Sequence, residues 1–134
     1  MDTQENTQIV QQAYARFKSG DIPSVLSLMT DDVVWVVPEV ENMPFTGKRQ
    51  GRQQVAQFFA DLADDQDVLD FTPEKFVAQE DCVIAQGHYT WRVKATGREY
   101  TAEFAHFFTV HDGKVVLFRE YADTTAMAAA HQTA

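Results

Sequence analysis

The chain has 134 residues, 45% of them hydrophobic and 23% charged, which is typical of one globular domain over residues 1–134 with a real core. Its formal net charge of −9 argues against nucleic acid and anionic membrane as partners, because both bind basic surfaces. The single cysteine, Cys82, allows no internal disulfide. Since neither a signal peptide nor an apolar run long enough to cross a membrane is visible, the sequence predicts a cytoplasmic protein.

The first half of the chain carries the periodicity of helices. In chain order it predicts helices over residues 3–19 and 21–32, a strand over 33–37, a loop over 38–50 and a helix over 51–65. Gly20 is a typical helix end and Asp21 a typical N-cap, while Pro38 ends the strand VVWVV.

The second half has the two-residue period of strands. Four strands are predicted, over residues 68–79, 82–94, 99–110 and 114–123. Asp112-Gly113 fits a two-residue type I′ turn and Thr96-Gly97 a similar tight loop, whereas the alanine-rich residues 124–134 form a short helix or a frayed tail. Helices followed by an antiparallel meander predict an α+β fold, in which the helices cover the concave face of a curved sheet.

Glu120 is an acid within an otherwise apolar strand. Pairs counted back from the Asp112-Gly113 turn place Ala105 opposite Glu120. The predicted face carries Glu103, Ala105, Phe107, Phe118 and Glu120. Because alanine is small, we expect a cavity above the carboxylate, in which Glu120 transfers a proton. The alternative is a carboxylate at the open end of the sheet that forms an ordinary ion pair.

The opposite face of the same two strands is predicted to be an outer surface. It carries Phe104, Phe108, Leu117 and Tyr121, together with His106 and Arg119. An aromatic surface of this size is typical of an interface between protein chains, so the sequence predicts a homodimer.

Three segments resemble one protein family. They are the helix-Gly20-Asp21-helix opening, the segment that carries Gly47, Gly51, Val55, Phe58 and Phe59, and the final Asp-Gly-Lys hairpin. Together they resemble the SnoaL-like, ketosteroid-isomerase-related branch of the nuclear transport factor 2 superfamily. The resemblance implies a cone in which long helices close a bent sheet around a deep apolar pocket. Members of this superfamily include isomerases, cyclases, epoxide hydrolases, dehydratases and binding proteins, so it does not imply one activity.

The residues of the steroid isomerases are not carried over. The resemblance places their catalytic base at Val37, their oxyanion-stabilising acid at Ala105 and their first-helix tyrosine at Ala13, one step from Tyr14. All three positions are changed, which argues against steroid isomerisation. Ala105 is nevertheless the predicted neighbour of Glu120, which indicates a carboxylate moved by one strand within the same pocket.

His88 and Arg92 are further candidates on the neighbouring strand. A two-residue turn at Thr96-Gly97 places His88 opposite Ala105 and in a row with Glu120, where it acts as a proton partner. A slip of one residue instead sends His88 outward and turns Tyr89 and Trp91 inward. Arg92 shares the face of His88, where it either neutralises a ligand carboxylate or stays solvated.

The remaining candidates form walls. Tyr14, Phe17, Trp35, Phe58 and Phe59 are predicted to line the cavity and to bind substrate with Arg92, Glu103, Ala105, Phe107 and Phe118. The four histidines lack zinc-type spacing and no phosphate-binding loop is present, so we expect neither a metal nor a cofactor.

The sequence is compatible with three alternative functions. The first is a cofactor-independent acid–base catalyst that acts on a small apolar or polycyclic carbonyl compound through Glu120 and His88. The second is a protein that binds a small hydrophobic ligand in the same pocket without turnover. The third is an assembly domain whose cone is filled by its own side chains.

Overall fold

The computed structural model describes residues 2–132, which form four helices and a six-stranded sheet. In chain order the elements are α1 (Thr3–Lys18), α2 (Ile22–Leu26), β1 (Met29–Val37), β2 (Gly47–Gln50), α3 (Arg52–Asp65), β3 (Gln66–Gln79), β4 (Cys82–Val93), β5 (Glu99–His111), β6 (Lys114–Ala122) and α4 (Thr124–His131). None of these helices is both long and apolar enough to cross a membrane.

The sheet is curved and open, with strand order β2-β1-β6-β5-β4-β3. β1 and β6 run parallel, and all other neighbours run antiparallel. Helices α1 and α3 cover its concave face with the buried side chains Val10, Tyr14, Val55 and Phe58. The predicted α+β cone is therefore confirmed.

Local signals explain where the helices begin and end. The carboxylate of Asp2 accepts a hydrogen bond from Glu5 N at 2.8 Å, and Asp21 caps α2 in the same way. Gly20 follows α1 with a φ of 80°, a left-handed conformation that suits glycine. Helix α2 is shorter than predicted because β1 already begins at Met29.

Two elements lie where the sequence was less specific. The predicted loop 38–50 ends in the short edge strand β2, which pairs with Val34–Val37 of β1. The alanine-rich end forms α4, so the helical alternative holds for residues 124–131, while residues 133 and 134 lie outside the described part of the chain.

The turn between β5 and β6 is the predicted one, but a β-bulge shifts the register beyond it. His111 pairs with Lys114, and Asp112 has a φ of 50°, as a type I′ turn requires. The ladder then passes from Val110↔Val115 to Thr109↔Leu117, leaving Val116 without a partner in it. Because of this extra residue, Val115 and Phe118 both reach the interior, which strict alternation forbids.

The bulge overturns the predicted pairing of Glu120. Its partner is His106, and Ala105 pairs with Tyr121 instead. The interior face of β5 consequently carries Phe104, His106 and Phe108, the residues that the sequence had placed outside. On β6, Phe118 and Glu120 do face the interior, as predicted.

The turn between β4 and β5 also differs from its prediction. Five residues, 94–98, separate the two strands, and Arg92 pairs with Glu99, so His88 lies opposite Glu103 rather than Ala105. Because the offset is two residues, the side chains of β4 and β5 that share a face are the same as in the predicted pairing. His88 faces outward because the bulge in β6, not a slip in this hairpin, reverses the faces.

The surface predicted for a homodimer changes accordingly. Phe104 and Phe108 are buried in the core, so that part of the predicted interface is wrong. The outer face carries Phe107 and Tyr121, whose rings meet edge to face with centroids 5.6 Å apart, and Tyr121 is 55% exposed. The homodimer stays a prediction that rests on this smaller apolar patch.

Gly87 provides a test of the close contact between β3 and β4. A Cβ at this position would lie 2.2 Å from the carbonyl oxygen of Thr72 and 2.8 Å from Cα of Pro73, both backbone atoms. We therefore expect Gly87→Ala to lower the free energy of unfolding by about 3 kcal/mol, as measured by urea denaturation.

Gly97→Ala is the matched control for this substitution. Gly97 has a φ of 72°, and a Cβ added there would meet no atom within 4 Å. Only backbone strain of about 1 kcal/mol is therefore expected. Equal losses for the two variants would contradict the proposed clash at Gly87.

Candidate functional site

An internal cavity of about 100 Å³ lies between the concave face of the sheet and the helices. Its walls are mainly aromatic and aliphatic, and they include Val40, Met43 and Phe45 from the loop between β1 and β2 and Met127 from α4. All four of these side chains are buried.

The carboxylate of Glu120 is the acidic group of this cavity. Its side chain is 14% exposed. Nε2 of His106 lies 2.8 Å from Oε2 of Glu120, and the Tyr89 hydroxyl donates to the same oxygen at 3.1 Å. Among the described residues both bonds end on Oε2, which leaves Oε1 of Glu120 for another donor.

A hydrogen-bonded chain continues from His106 to helix α1. The Tyr14 hydroxyl lies 2.7 Å from Nδ1 of His106, and both residues are buried. When Nε2 carries the imidazole proton, it donates to Glu120 while Nδ1 accepts from Tyr14, so every group in the chain is satisfied. The arrangement holds the Glu120 carboxylate in one orientation.

Aromatic rings fix the imidazole of His106 in place. The Phe104 ring is stacked on it with centroids 4.1 Å apart, and Phe118 contacts it edge to face at 4.8 Å. A ring enclosed in this way keeps both nitrogens aimed at their partners.

The cavity has a second polar point at Gln66 and Tyr100. The Tyr100 hydroxyl lies 2.8 Å from Nε2 of Gln66 and 3.1 Å from its Oε1. Trp35 also lines the cavity, and its indole nitrogen is buried without a hydrogen-bond partner among the described residues.

Burial keeps the cavity tyrosines protonated. It raises the pKa of Tyr14 and of Tyr89 far above the ordinary value, and the charge of Glu120 raises both further. Burial also raises the pKa of Tyr100, against the lowering effect of its hydrogen bond with Gln66. These hydroxyls are therefore hydrogen-bond donors at neutral pH.

Seven of the predicted site residues lie in the cavity wall. They are Tyr14, Phe17, Trp35, Phe58, Phe59, Phe118 and Glu120. Trp35 stacks on Phe118 with ring centroids 3.8 Å apart, which joins β1 to β6 beside Glu120. The roles of these seven residues in catalysis and binding stay predictions.

The other five predicted site residues point away from the cavity. Glu103, Ala105 and Phe107 are on the outer face because the bulge in β6 inverts the predicted faces. His88 and Arg92 share that outer face, and Arg92 is exposed. The prediction that these residues line the cavity is wrong.

His88 instead belongs to an ionic cluster on the outer surface. Its Nδ1 lies 2.8 Å from Oε1 of Glu74, and its Nε2 lies 3.0 Å from Oδ2 of Asp70. The hydrogen bond to Glu74 raises the pKa of His88, with Asp70 adding to the effect. Its side chain is 37% exposed, so these contacts stabilise the chain only weakly.

Sequence reasoning missed the site roles of His106, Tyr89, Gln66 and Tyr100. It placed His106 outside and turned Tyr89 inward only as the result of a hairpin slip. For Tyr89, Tyr100 and His106 the available signal is alternation along β4 and β5, which places these three residues on one face. Only the direction of that face was misjudged. Within residues 2–132, no three His, Cys, Asp or Glu side chains are grouped so as to hold a metal ion.

Fold and site together define a cone-shaped α+β protein with a carboxylate–imidazole pair inside an apolar cavity. The SnoaL-like domain family matches residues 10–118, and the chain belongs to this family. None of the curated proteins compared with the chain matches it.

Solved structures share the fold over nearly the whole chain. An NTF2-like protein from Burkholderia xenovorans LB400 has a TM-score of 0.89 at 34% identity, covering 98% of this chain and 99% of that chain. An NTF2-like protein from Burkholderia thailandensis E264 has a TM-score of 0.88 at 25% identity, covering 99% and 100%. TerC, co-crystallised with polyporic acid, has a TM-score of 0.80 at 28% identity, covering 96% and 99%.

The protonated tyrosines predict a steep loss of stability in alkali. A tyrosine in the unfolded chain ionises at about pH 10. Because the pKa values of Tyr14, Tyr89 and Tyr100 are raised in the folded state, the folded chain binds more protons above that pH. The free energy of unfolding then falls by up to ~1.4 kcal/mol per pH unit for each of the three. Circular dichroism and tyrosinate absorbance, followed together from about pH 8 to 12, measure this.

Single phenylalanine variants separate buried from exposed tyrosines. Tyr100→Phe removes one buried titrating group and should move the alkaline unfolding midpoint upward. Tyr121→Phe, on the outer face, should leave the midpoint unchanged. Ionisation of all four tyrosines near pH 10 without loss of secondary structure would overturn the assignment.

Proposed function

We propose that this protein is a cofactor-independent acid–base catalyst, in which Glu120 moves a proton on a small apolar carbonyl compound. The observation that carries the proposal is the hydrogen-bonded chain from Tyr14 through His106 to Glu120 inside an apolar cavity. A base has to be oriented toward the proton that it takes, and this chain holds Glu120 through its other oxygen, Oε2.

The proton transfer uses the free oxygen of Glu120. Oε1 takes a proton from the carbon next to the carbonyl group, which leaves an enolate, and returns it to the same or a different carbon. Meanwhile Oε2 keeps its hydrogen bonds from Nε2 of His106 and from the Tyr89 hydroxyl. His106, Tyr14 and Tyr89 are thus positioning residues, because they act on the ligand through Glu120.

The developing enolate oxygen needs a donor in the same cavity. We assign this role to the Gln66–Tyr100 pair, whose two side chains line the cavity. Donors in an apolar enclosure stabilise a developing charge more strongly than they would in water. Several polar groups within one apolar cavity favour chemistry over simple storage of a ligand.

The alternative is a protein that binds the same class of ligand without turnover. It is favoured by the completeness of the hydrogen-bonded chain, in which Tyr14, His106 and Tyr89 all already have partners. The similarity to TerC, co-crystallised with polyporic acid, supports a small organic ligand in either case.

The function is tested by proton exchange on a simple ketone. Cyclohexanone in deuterated water exchanges its α-protons slowly, and the wild-type protein should accelerate this exchange, as followed by NMR. Glu120→Gln keeps the shape of the side chain but removes the base, so the acceleration should fall by roughly 10²-fold or more. Circular dichroism confirms that the variant is folded.

Glu103→Gln is the matched control, since Glu103 is an exposed acid on the outer face of β5. This variant should accelerate the exchange of the α-protons of cyclohexanone as much as the wild-type protein does. Exchange by Glu120→Gln within a few-fold of wild type would refute the role of Glu120. If the wild-type protein and Glu120→Gln bind cyclohexanone equally well and neither accelerates its proton exchange, the binding alternative is established.

A further inference from the structure

The internal cavity is small for a complete ligand site. Its volume of about 100 Å³ holds one ring with its substituent oxygen, whereas sites for drug-sized ligands span roughly 300–1,000 Å³. A ligand larger than one ring therefore has to extend beyond the cavity. The extension has to pass through the part of the cavity wall that is made of the fewest side chains.

A second concavity, which we name the β3 groove, lies directly behind one wall of the cavity. It has a volume of about 570 Å³ and runs between the end of α1, the end of α3 and the beginning of β3. Six residues line both spaces: Phe17, Phe59, Leu62, Gln66, Phe71 and Trp91. The cavity and the β3 groove are thus separated by one layer of side chains.

Four of the six residues in this partition are aromatic, and two of these four are only partly buried. The ring of Phe17 lies 5.2 Å from that of Phe71 and 5.9 Å from that of Phe59, measured between centroids. Phe17 and Phe71 are half-buried, whereas Val40, Met43 and Phe45 of the loop between β1 and β2 are buried. Because Phe17 and Phe71 are the partly buried rings of this partition, their rotation is the movement that would join the cavity to the β3 groove.

The floor of the β3 groove is apolar and exposed. The β3–β4 ladder shifts register between Val68 and Asp70, so Leu69 is a bulge residue without a partner in that ladder. Val68 is 49% exposed and Leu69 is 42% exposed, and they are neighbours in the sequence. Two adjacent exposed aliphatic side chains in the floor of a groove mark a surface that an apolar ligand can cover.

The charges at the rim of the β3 groove are mostly compensated. Asp70 pairs with His88 at 3.0 Å, and Asp67 lies 3.8 Å from Nζ of Lys94. Lys18 adds one positive charge. Because both carboxylates have a basic neighbour and Lys18 is a single charge, the lining residues offer no cluster of like charges to an ionic extension, and the groove suits an uncharged apolar chain.

We infer that the cavity and the β3 groove form one two-part binding site for an elongated ligand, with an oxygen-bearing ring at Glu120 and an uncharged apolar tail along Val68 and Leu69. This rests on the proposed function only for the position of the ring. The Phe17–Phe71 pair is the constriction between the two parts. Ligand length, and not only ring chemistry, then determines affinity.

The inference is tested with para-alkylphenols and isothermal titration calorimetry. The probes are para-cresol, which fills the cavity alone, and para-octylphenol, whose tail passes the constriction. Each methylene that leaves water should increase affinity about fourfold. We expect para-octylphenol to bind wild-type protein at least about a hundredfold more tightly than para-cresol.

The variant Leu69→Asp tests the groove by itself, since Leu69 lies in the β3 groove but not in the cavity wall. It should weaken the binding of para-octylphenol by about tenfold and change the affinity for para-cresol by less than about twofold. The reason is that a carboxylate next to the bound tail is poorly solvated. Val77→Asp is the matched control, since Val77 is also an exposed aliphatic residue of β3, 50% exposed, and lies outside the groove. It should leave both affinities unchanged.

Three outcomes overturn the inference: neither phenol binds wild-type protein, para-octylphenol binds no more tightly than para-cresol, or Leu69→Asp and Val77→Asp affect para-octylphenol equally. Failure of the proposed function is recognised separately. If Glu120→Gln leaves cyclohexanone exchange unchanged while the phenol series behaves as expected, the two-part site stands and only the catalytic role of Glu120 is lost.

Discussion

The extra residue in β6 is the constraint on which the site depends. Without the bulge at Val116, Glu120 would face Ala105, and its carboxylate would have no hydrogen-bonding neighbour on the next strand. With the bulge, Glu120 meets the imidazole of His106 across the ladder at 2.8 Å. One unpaired backbone position thus decides which two side chains share the interior.

A carboxylate inside an apolar cone is tolerated only when it is hydrogen-bonded. Glu120 receives bonds from His106 and from Tyr89, which come from the two strands beyond it in the sheet. The chain ends at Tyr14 on α1, so the helix layer and the sheet both contribute to one polar network. Removal of Tyr14, His106 or Glu120 leaves a buried polar group without its partner, and such networks are therefore rigid.

Much of the fold can be read from the sequence, because its signals are local. Gly20 and Asp21 mark the boundary of the first two helices, and Asp112-Gly113 produces the expected turn. The bulge beyond that turn leaves no local signal. Its cause is tertiary, since Val115 and Phe118 both have to reach the core where β6 lies beside the parallel strand β1, whose own ladder is irregular at the same level.

The candidate site likewise has a part that the sequence predicts and a part that it does not. Glu120 could be predicted because an acid stands out against aliphatic neighbours, and the aromatic walls could be predicted from their helical and strand spacing. The partner of Glu120 could not, because a register error of one residue exchanges the two faces of a strand. His106 was thus sent outward, and Ala105, Phe107 and Glu103 were brought inward, by a single miscounted pair.

The positions of the two tryptophans have a practical consequence. The chain contains two, Trp35 and Trp91, and both lie in the wall of the cavity. Trp35 stacks on Phe118, and Trp91 also borders the β3 groove. All indole emission of the native protein therefore originates at the site, so that the arrival of a small molecule there can be followed by intrinsic fluorescence without a label.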